Sequence, residues 1–154
     1  MPLNQDSSFS VSSESLLKEA KELRSFIDIL KKEELALVQG KIDEIDFYAS
    51  DKLRSIEILI QLNDQREEYF KTQGLTLDKS CINNWLRKQQ NSDQTNMIEI
   101  WSELLDLAKT AQHINQSNGL IISARHQHHQ RALAALHSAA GNVSCYGLKG
   151  QAYI

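Results

Sequence analysis

Residues 13–40 read SESLLKEAKELRSFIDILKKEELALVQG, and residues 41–74 read KIDEIDFYASDKLRSIEILIQLNDQREEYFKTQG. In both segments apolar residues recur at three- and four-residue steps, which is typical of an amphipathic helix. Ser12 or Ser13 is suited to cap the first helix, Gly40 ends it, and Gly74 ends the second. Because the connection between the helices is so short, we expect them to form a long antiparallel hairpin.

The same spacing predicts which side chains face inward. In the first helix these are Leu16, Ala20, Leu23, Ile27, Leu30 and Leu37, with Leu17, Phe26 and Val38 beside them and Glu34 in the one missing slot. In the second helix they are Ile42, Ile45, Ala49, Leu53, Ile56, Ile60, Asn63, Glu67 and Phe70, flanked by Leu59 and Leu62.

Three more helical segments are predicted after Gly74. Asp78 is suited to cap a short helix that carries Trp85. A third helix carries Met97, Ile100, Leu104, Leu107, Ala111 and Ile114, with Trp101 beside them, and weakens at 115–119. A fourth segment spans about 118–140. The predicted fold class is therefore all-α, with the long antiparallel hairpin packed against further helices in an elongated bundle that buries both tryptophans.

The ends of the chain differ from the middle in composition. Residues 1–12 are polar and serine-rich, which predicts a disordered arm before the helical domain at 13–140. Residues 141–154 are polar and glycine-spaced, and we expect a flexible tail. In the fourth helical segment, His126 and His129 occupy two of the six inward positions. With so little apolar surface to bury, this segment is expected to be the least stable of the long helices.

Composition places the chain among ordinary globular proteins. Its 154 residues are 41% hydrophobic and 24% charged, and the only proline is Pro2. No apolar run approaches the length of a membrane span, and residues 1–13 lack the pattern of a secretory signal. Cys81 and Cys145 are far apart and not in a CxxC arrangement, which favours reduced thiols. These features predict a cytoplasmic protein.

Charge is distributed unevenly along the chain. Residues 1–106 hold all 20 acidic and 13 basic residues, a formal charge of −7, whereas residues 107–154 hold four basic residues and no acid, giving +4. The net charge of −3 argues against nucleic acid as the main partner. Two interpretations of the basic end remain open. It is either a solvated face paired with acidic helices of the same fold, or a surface for an acidic or polar partner.

No arrangement of residues indicates catalysis, a cofactor or a metal ion. His126, His128 and His129 have helical spacing, but no carboxylate or cysteine within two turns completes a ligand shell. Neither cysteine stands opposite a histidine with an orienting acid, and phosphate-binding and nucleotide-binding motifs are absent. We therefore expect a protein that is not an enzyme and that works by holding another protein.

Two blocks carry a more specific signal. The stretch INQSNGLII at 114–122, preceded by Trp101 and followed by QRAL at 130–133, resembles the C-terminal half of the FlgN family of flagellar export chaperones. The sequence YGLKGQ at 146–151 is similar to the closing Tyr-Gly-x-x-Gly-Gln signature of that family. The layout of the N-terminal half is also similar, so the resemblance extends over nearly the whole chain.

The resemblance implies a cytoplasmic chaperone of type III secretion. Its clients would be the hook-associated (hook–filament junction) proteins, held by their C-terminal helical segments, kept from premature assembly and delivered to the cytoplasmic domain of the export gate. The cargo-binding part of the family matches residues 118–136, and its gate-docking tyrosine matches Tyr146. Implied partner-binding residues are Asn118, Gly119, Leu120, Ile122, Arg125, His129, Leu133, Leu136, Tyr146 and Gly150. The alternative is a general helical-bundle adaptor of another system; neither possibility involves nucleic acid or membrane insertion.

Overall fold

The computed structural model describes residues 9–89 and 94–139. Over these ranges the chain forms four helices and no strand: α1 (Ser13–Gln39), α2 (Ile42–Thr72), α3 (Lys79–Arg87) and α4 (Gln94–Ala139). The prediction of an all-α fold is confirmed. The chain divides into two compact units, Met1–Asn115 and Gln116–Ile154. The first unit contains the hairpin, α3 and the beginning of α4, and the second contains the rest of α4.

The start of α1 is fixed by a reciprocal cap. The Ser15 amide donates to Ser12 Oγ at 3.2 Å, and the Ser12 amide donates to Ser15 Oγ at 2.9 Å. Each hydroxyl thereby satisfies an amide that the first helical turn leaves unpaired. Of the two serines suited to this role, Ser12 is the cap. The helix ends at Gly40, whose φ of 70° is the left-handed conformation that glycine adopts without strain.

The packed region begins slightly before α1. Val11 is buried in the core, and the ring of Phe9 lies edge-on to Tyr69 with 6.5 Å between centroids. Residues 9–12 therefore pack against the hairpin, because Val11 and Phe9 bring apolar side chains into an otherwise polar arm. The rest of the predicted arm, residues 1–8, lies outside the described residues, as does the predicted tail at 141–154.

Polar contacts between α1 and α2 confirm the antiparallel hairpin. They join Glu19 to Arg66, Glu22 to Ser55 and Glu33 to Lys52. The Ser55 hydroxyl donates to Glu22 Oε1 at 3.0 Å, and Lys52 Nζ lies 3.2 Å from Glu33 Oε1. Partners later in α1 pair with residues earlier in α2, which is possible only when the helices run in opposite directions.

These contacts also correct the predicted inward face of α2. Ile42, Leu53 and Ile60 are more than half exposed, and the buried positions are Ser55, Leu62 and Phe70. The prediction is confirmed for Phe70 and wrong for these three residues, because α2 carries apolar residues on more than one face and the face that contains Ser55 is the one turned inward. In α1, the inward-facing position between Leu30 and Leu37 that lacks an apolar residue is occupied by Glu33 and not by Glu34. The Glu33 carboxylate is buried there and pairs with Lys52.

One hydrophobic core joins the hairpin to α3 and to the beginning of α4. Its buried members are Val11, Leu16, Ala20, Leu23, Phe26, Ile27, Leu30, Phe70, Ile82, Leu86, Met97, Ile100, Leu104 and Ala111. Trp85 and Trp101 pack against it, as predicted. The Trp85 ring lies edge-on to Phe70 at 5.3 Å between centroids. Asp78 caps α3 by accepting a hydrogen bond from the Cys81 amide, and this bond lowers the pKa of the Asp78 carboxyl.

An ion pair lies at the edge of this core. Glu19 and Arg66 have side chains 11% and 15% exposed, and Arg66 also donates to Asn63 Oδ1 at 2.7 Å. The Arg66 guanidinium carbon lies 5.2 Å from the centroid of the Trp101 ring, a cation–π contact. Burial raises the pKa of the Glu19 carboxyl, and the charge of Arg66 offsets part of that rise. Arg66 thus links residues of α1, α2 and α4.

The predicted third helix and fourth helical segment form one continuous helix, because the expected weak point at 115–119 does not interrupt the helical backbone. α4 is helical from Gln94 to Ala139. Asparagine and serine are only mildly unfavourable inside a helix, and a helical glycine costs about 1 kcal/mol relative to alanine. Long helical flanks on both sides offset a cost of this size.

Candidate protein-interaction surface

In the second unit, the described residues 116–139 form the last part of α4. Between 119 and 138 no side chain is buried, and only Ile121, Leu133 and His137 are partly covered. The exposed side chains include Leu120, Ile122 and Leu136. This part of the helix therefore presents apolar side chains to solvent.

Five of the predicted partner-binding residues share one helical face. At 3.6 residues per turn they fall within an arc of roughly 80°. They are Ile122, Arg125, His129, Leu133 and Leu136, and we call this set the 122–136 ridge. Ile122 is 43% exposed and Leu136 is 66% exposed. Leu120, which is 73% exposed, lies on the opposite side of the helix, roughly 160° from Ile122.

The other predicted positions in α4 differ from the ridge. The side chain of Asn118 is completely buried. The neighbouring Gly119 is open: a Cβ built there would meet no heavy atom within 4 Å. Burial keeps Asn118 from presenting its amide to a partner in this conformation, whereas Gly119 allows a partner to approach the backbone closely. Tyr146 and Gly150 lie outside the described residues.

The histidines in and beside the ridge do not form a metal centre with other described residues. His126, His128 and His129 are exposed, and His126 Nε2 lies 3.2 Å from Gln130 Nε2. No group of three histidine, cysteine or carboxylate side chains suited to a metal ion occurs within residues 9–89 and 94–139. In the same residues no helix combines the length and apolar character needed to cross a bilayer. Cys81 is a free thiol, and Cys145 lies outside the described residues.

A second exposed apolar surface lies on α2. Counted at 3.6 residues per turn, its residues lie within roughly 20° of one line along the helix. They are Ile42, Ala49, Leu53 and Ile60, and we call this set the α2 stripe. Sequence reasoning assigned these residues to the hairpin seam and so missed the surface. Asp46, Glu57 and Asp64 lie beside these residues, and such a row of acidic side chains, typical of a solvent-facing edge, is the signal that could have identified the surface.

The chain also matches known proteins over most of its length. A family model described as FlgN protein matches residues 8–154. The flagella synthesis protein FlgN of Proteus mirabilis is 30% identical over 138 residues, which cover 85% of this chain and 82% of that relative. No solved structure matches the chain significantly. The matched residues include the hairpin, α3, α4 and the whole 122–136 ridge.

Proposed function

Because this chain belongs to the FlgN family, we propose that it is a cytoplasmic chaperone of flagellar synthesis. It holds hook–filament junction proteins by their C-terminal helical segments and delivers them to the export gate. The observation that supports this proposal is the exposure of apolar side chains on the 122–136 ridge, where Ile122 and Leu136 are exposed and Leu133 is partly exposed. The client segment would pack its apolar face on the ridge, as it would pack on neighbouring helices in the assembled flagellum.

The composition of the ridge suits temporary binding. Leu133, Leu136 and Ile122 supply apolar surface for the nonpolar face of a client helix, in the manner of helix-on-helix packing. Arg125 and His129 lie among them and reduce the apolar area that a client can bury. A client segment that becomes ordered on binding also loses conformational entropy. Affinity is therefore moderate, which allows the client to be released at the gate.

The positive charge of this region adds selectivity. Residues 116–139 contain Arg125, Arg131 and four histidines but no acid. Such a surface favours a client helix with acidic residues beside its apolar face and disfavours a basic one. Tyr146 and Gly150 are proposed to act at a different stage, in docking at the export gate, so their replacement spares client capture.

Client capture is tested with the full-length chain and a C-terminal fragment of a junction protein, titrated by calorimetry. Leu136→Glu is expected to weaken binding about 10- to 100-fold, because it removes the leucine contact that the bound client would bury and places a charge in the interface. Leu35→Glu is the matched control, since Leu35 is 57% exposed on α1 and lies outside the ridge. Tyr146→Ala should bind the fragment as the wild type does.

Two results would contradict the proposal. If the wild-type chain does not bind the fragment, the assignment of the client is wrong. If Leu136→Glu and Leu35→Glu bind it equally well, the client uses a surface other than the ridge.

A further inference from the structure

The α2 stripe carries acidic residues along one edge. Asp46, Glu57 and Asp64 lie roughly 40–60° around the helix from the line of the stripe. All three carboxylates are exposed, and none forms an ion pair with another residue in the described ranges. The stripe therefore combines an apolar centre with a negatively charged border.

The 122–136 ridge has the opposite charge. Arg125 lies within it, and no acidic residue occurs anywhere after Asp106. The apolar residues of the ridge lie within 122–136 and those of the stripe within 42–60, so their ends are separated by about 21 Å and about 27 Å of helix. The two surfaces are thus comparable in length, both contain exposed apolar side chains, and they differ in sign of charge.

Charge decides which surfaces can pair when two copies of the chain meet. Pairing two ridges would oppose arginines, and pairing two stripes would oppose carboxylates, so both arrangements are disfavoured electrostatically. Ridge on stripe brings Arg125 toward the row that contains Glu57 and covers the exposed Leu53 and Leu136 together.

We propose that the 122–136 ridge of one copy packs on the α2 stripe of a second copy, and that the reciprocal contact closes a homodimer. The dimer would contain two identical ridge-on-stripe contacts, related by two-fold symmetry. Self-association then covers the ridge in both copies, and any helix that binds the ridge must compete with the second copy. The inference concerns the chain alone and does not depend on the identity of the client.

The test is sedimentation equilibrium of the full-length chain over a range of concentrations. The mean mass is expected to rise from 17.5 kDa toward twice that value. Leu53→Glu and Leu136→Glu should each abolish the rise, because each damages both reciprocal contacts. Matched controls come from the same helices. Phe47 is 68% exposed and lies roughly 140° around α2 from the stripe, and Leu120 lies on the face of α4 opposite the ridge. The variants Phe47→Glu and Leu120→Glu should therefore associate as the wild type does.

Mixing the two disrupted variants distinguishes this arrangement from others. The Leu53→Glu copy keeps an intact ridge, and the Leu136→Glu copy keeps an intact stripe, so their mixture should recover a heterodimer held by one contact. A chain that stays monomeric at every concentration overturns the proposal, as does a mixture without recovery. Loss of association in Leu136→Glu but not in Leu53→Glu would indicate ridge-on-ridge pairing instead. Leu53→Glu should still capture a client fragment, so failure of the dimer can be separated from failure of the proposed function.

Discussion

Replacing Arg66 with alanine is expected to lower the free energy of unfolding by about 3 kcal/mol or more. The substitution leaves the Glu19 carboxylate, which is 11% exposed, without its cation. It also removes the hydrogen bond to Asn63 and the contact with the Trp101 ring. Because one side chain connects three helices of the first unit, no single neighbour can replace these contacts.

Urea unfolding of the wild type and the variant at neutral pH measures this loss. Arg54→Ala is the matched control: Arg54 is exposed on the same helix, and its removal should change the unfolding free energy by less than about 0.5 kcal/mol. Equal losses for the two variants would show that the Glu19–Arg66 pair contributes nothing beyond a surface charge.

The loss in Arg66→Ala should also depend on pH. Burial already raises the pKa of Glu19 above 4.5, and removing Arg66 takes away the positive charge that limits this rise. In the variant, folded Glu19 therefore binds a proton more readily than unfolded Glu19. Its folded state gains stability relative to the wild type as the pH falls through the raised pKa toward 4.5. A loss that is the same at pH 5 and pH 7 would show that the Glu19 charge is not its cause.

Replacing Phe70 with alanine is expected to cost about 3–5 kcal/mol. Phe70 is 1% exposed and lies where the end of α2 meets α3, with Trp85 edge-on to its ring. Alanine would leave a cavity among Trp85, Tyr69 and the core side chains, and these large rings cannot collapse fully into it. The expected effect is a large fall in both the melting temperature and the denaturant midpoint.

A second phenylalanine of α2 provides the control for this prediction. Phe47 is 68% exposed, so Phe47→Ala should change stability by less than about 0.5 kcal/mol. Unfolding followed by tryptophan fluorescence reports directly on Trp85 and Trp101, both of which pack against the core. A Phe70→Ala variant as stable as Phe47→Ala would mean that α3 does not depend on this contact for its place in the first unit.

Local signals in the sequence were sufficient for most of the fold. A serine before α1, Gly40 after it and Asp78 before α3 each act through bonds to residues a few positions away, so their effect can be predicted without tertiary information. The lengths of α1 and α2 and their antiparallel arrangement follow from apolar spacing and a short connection. These predictions are confirmed by the caps and by the contacts between α1 and α2.

The orientation of α2 about its own axis could not be predicted in the same way. Leu62 and Ile60 belong to different faces, and both faces are apolar enough to qualify as the seam. The face that is turned inward also carries Ser55 and Arg66, which bond to glutamates of α1 located 33 and 47 positions away in sequence. Periodicity counts apolar residues and therefore gives no weight to such polar contacts between distant residues.

The candidate site shows a similar division. Sequence alone places Ile122, Arg125, His129, Leu133 and Leu136 at helical spacing, and the structure brings all five to one face. The sequence could not show that Asn118 is buried or that Leu120 is 73% exposed, because burial depends on the surroundings of each side chain. The roles of Tyr146 and Gly150 remain predictions from family resemblance.

The exposure of residues 119–138 has a consequence for turnover in the cell. A helix with no buried side chain along this length opens at little free-energy cost, and opened segments are what proteases cut. Any helix that covers this surface, whether from the proposed client or from a second copy, would slow its opening, so copies with a covered surface would survive longer. A half-life that is the same with the surface covered and uncovered would argue against this link.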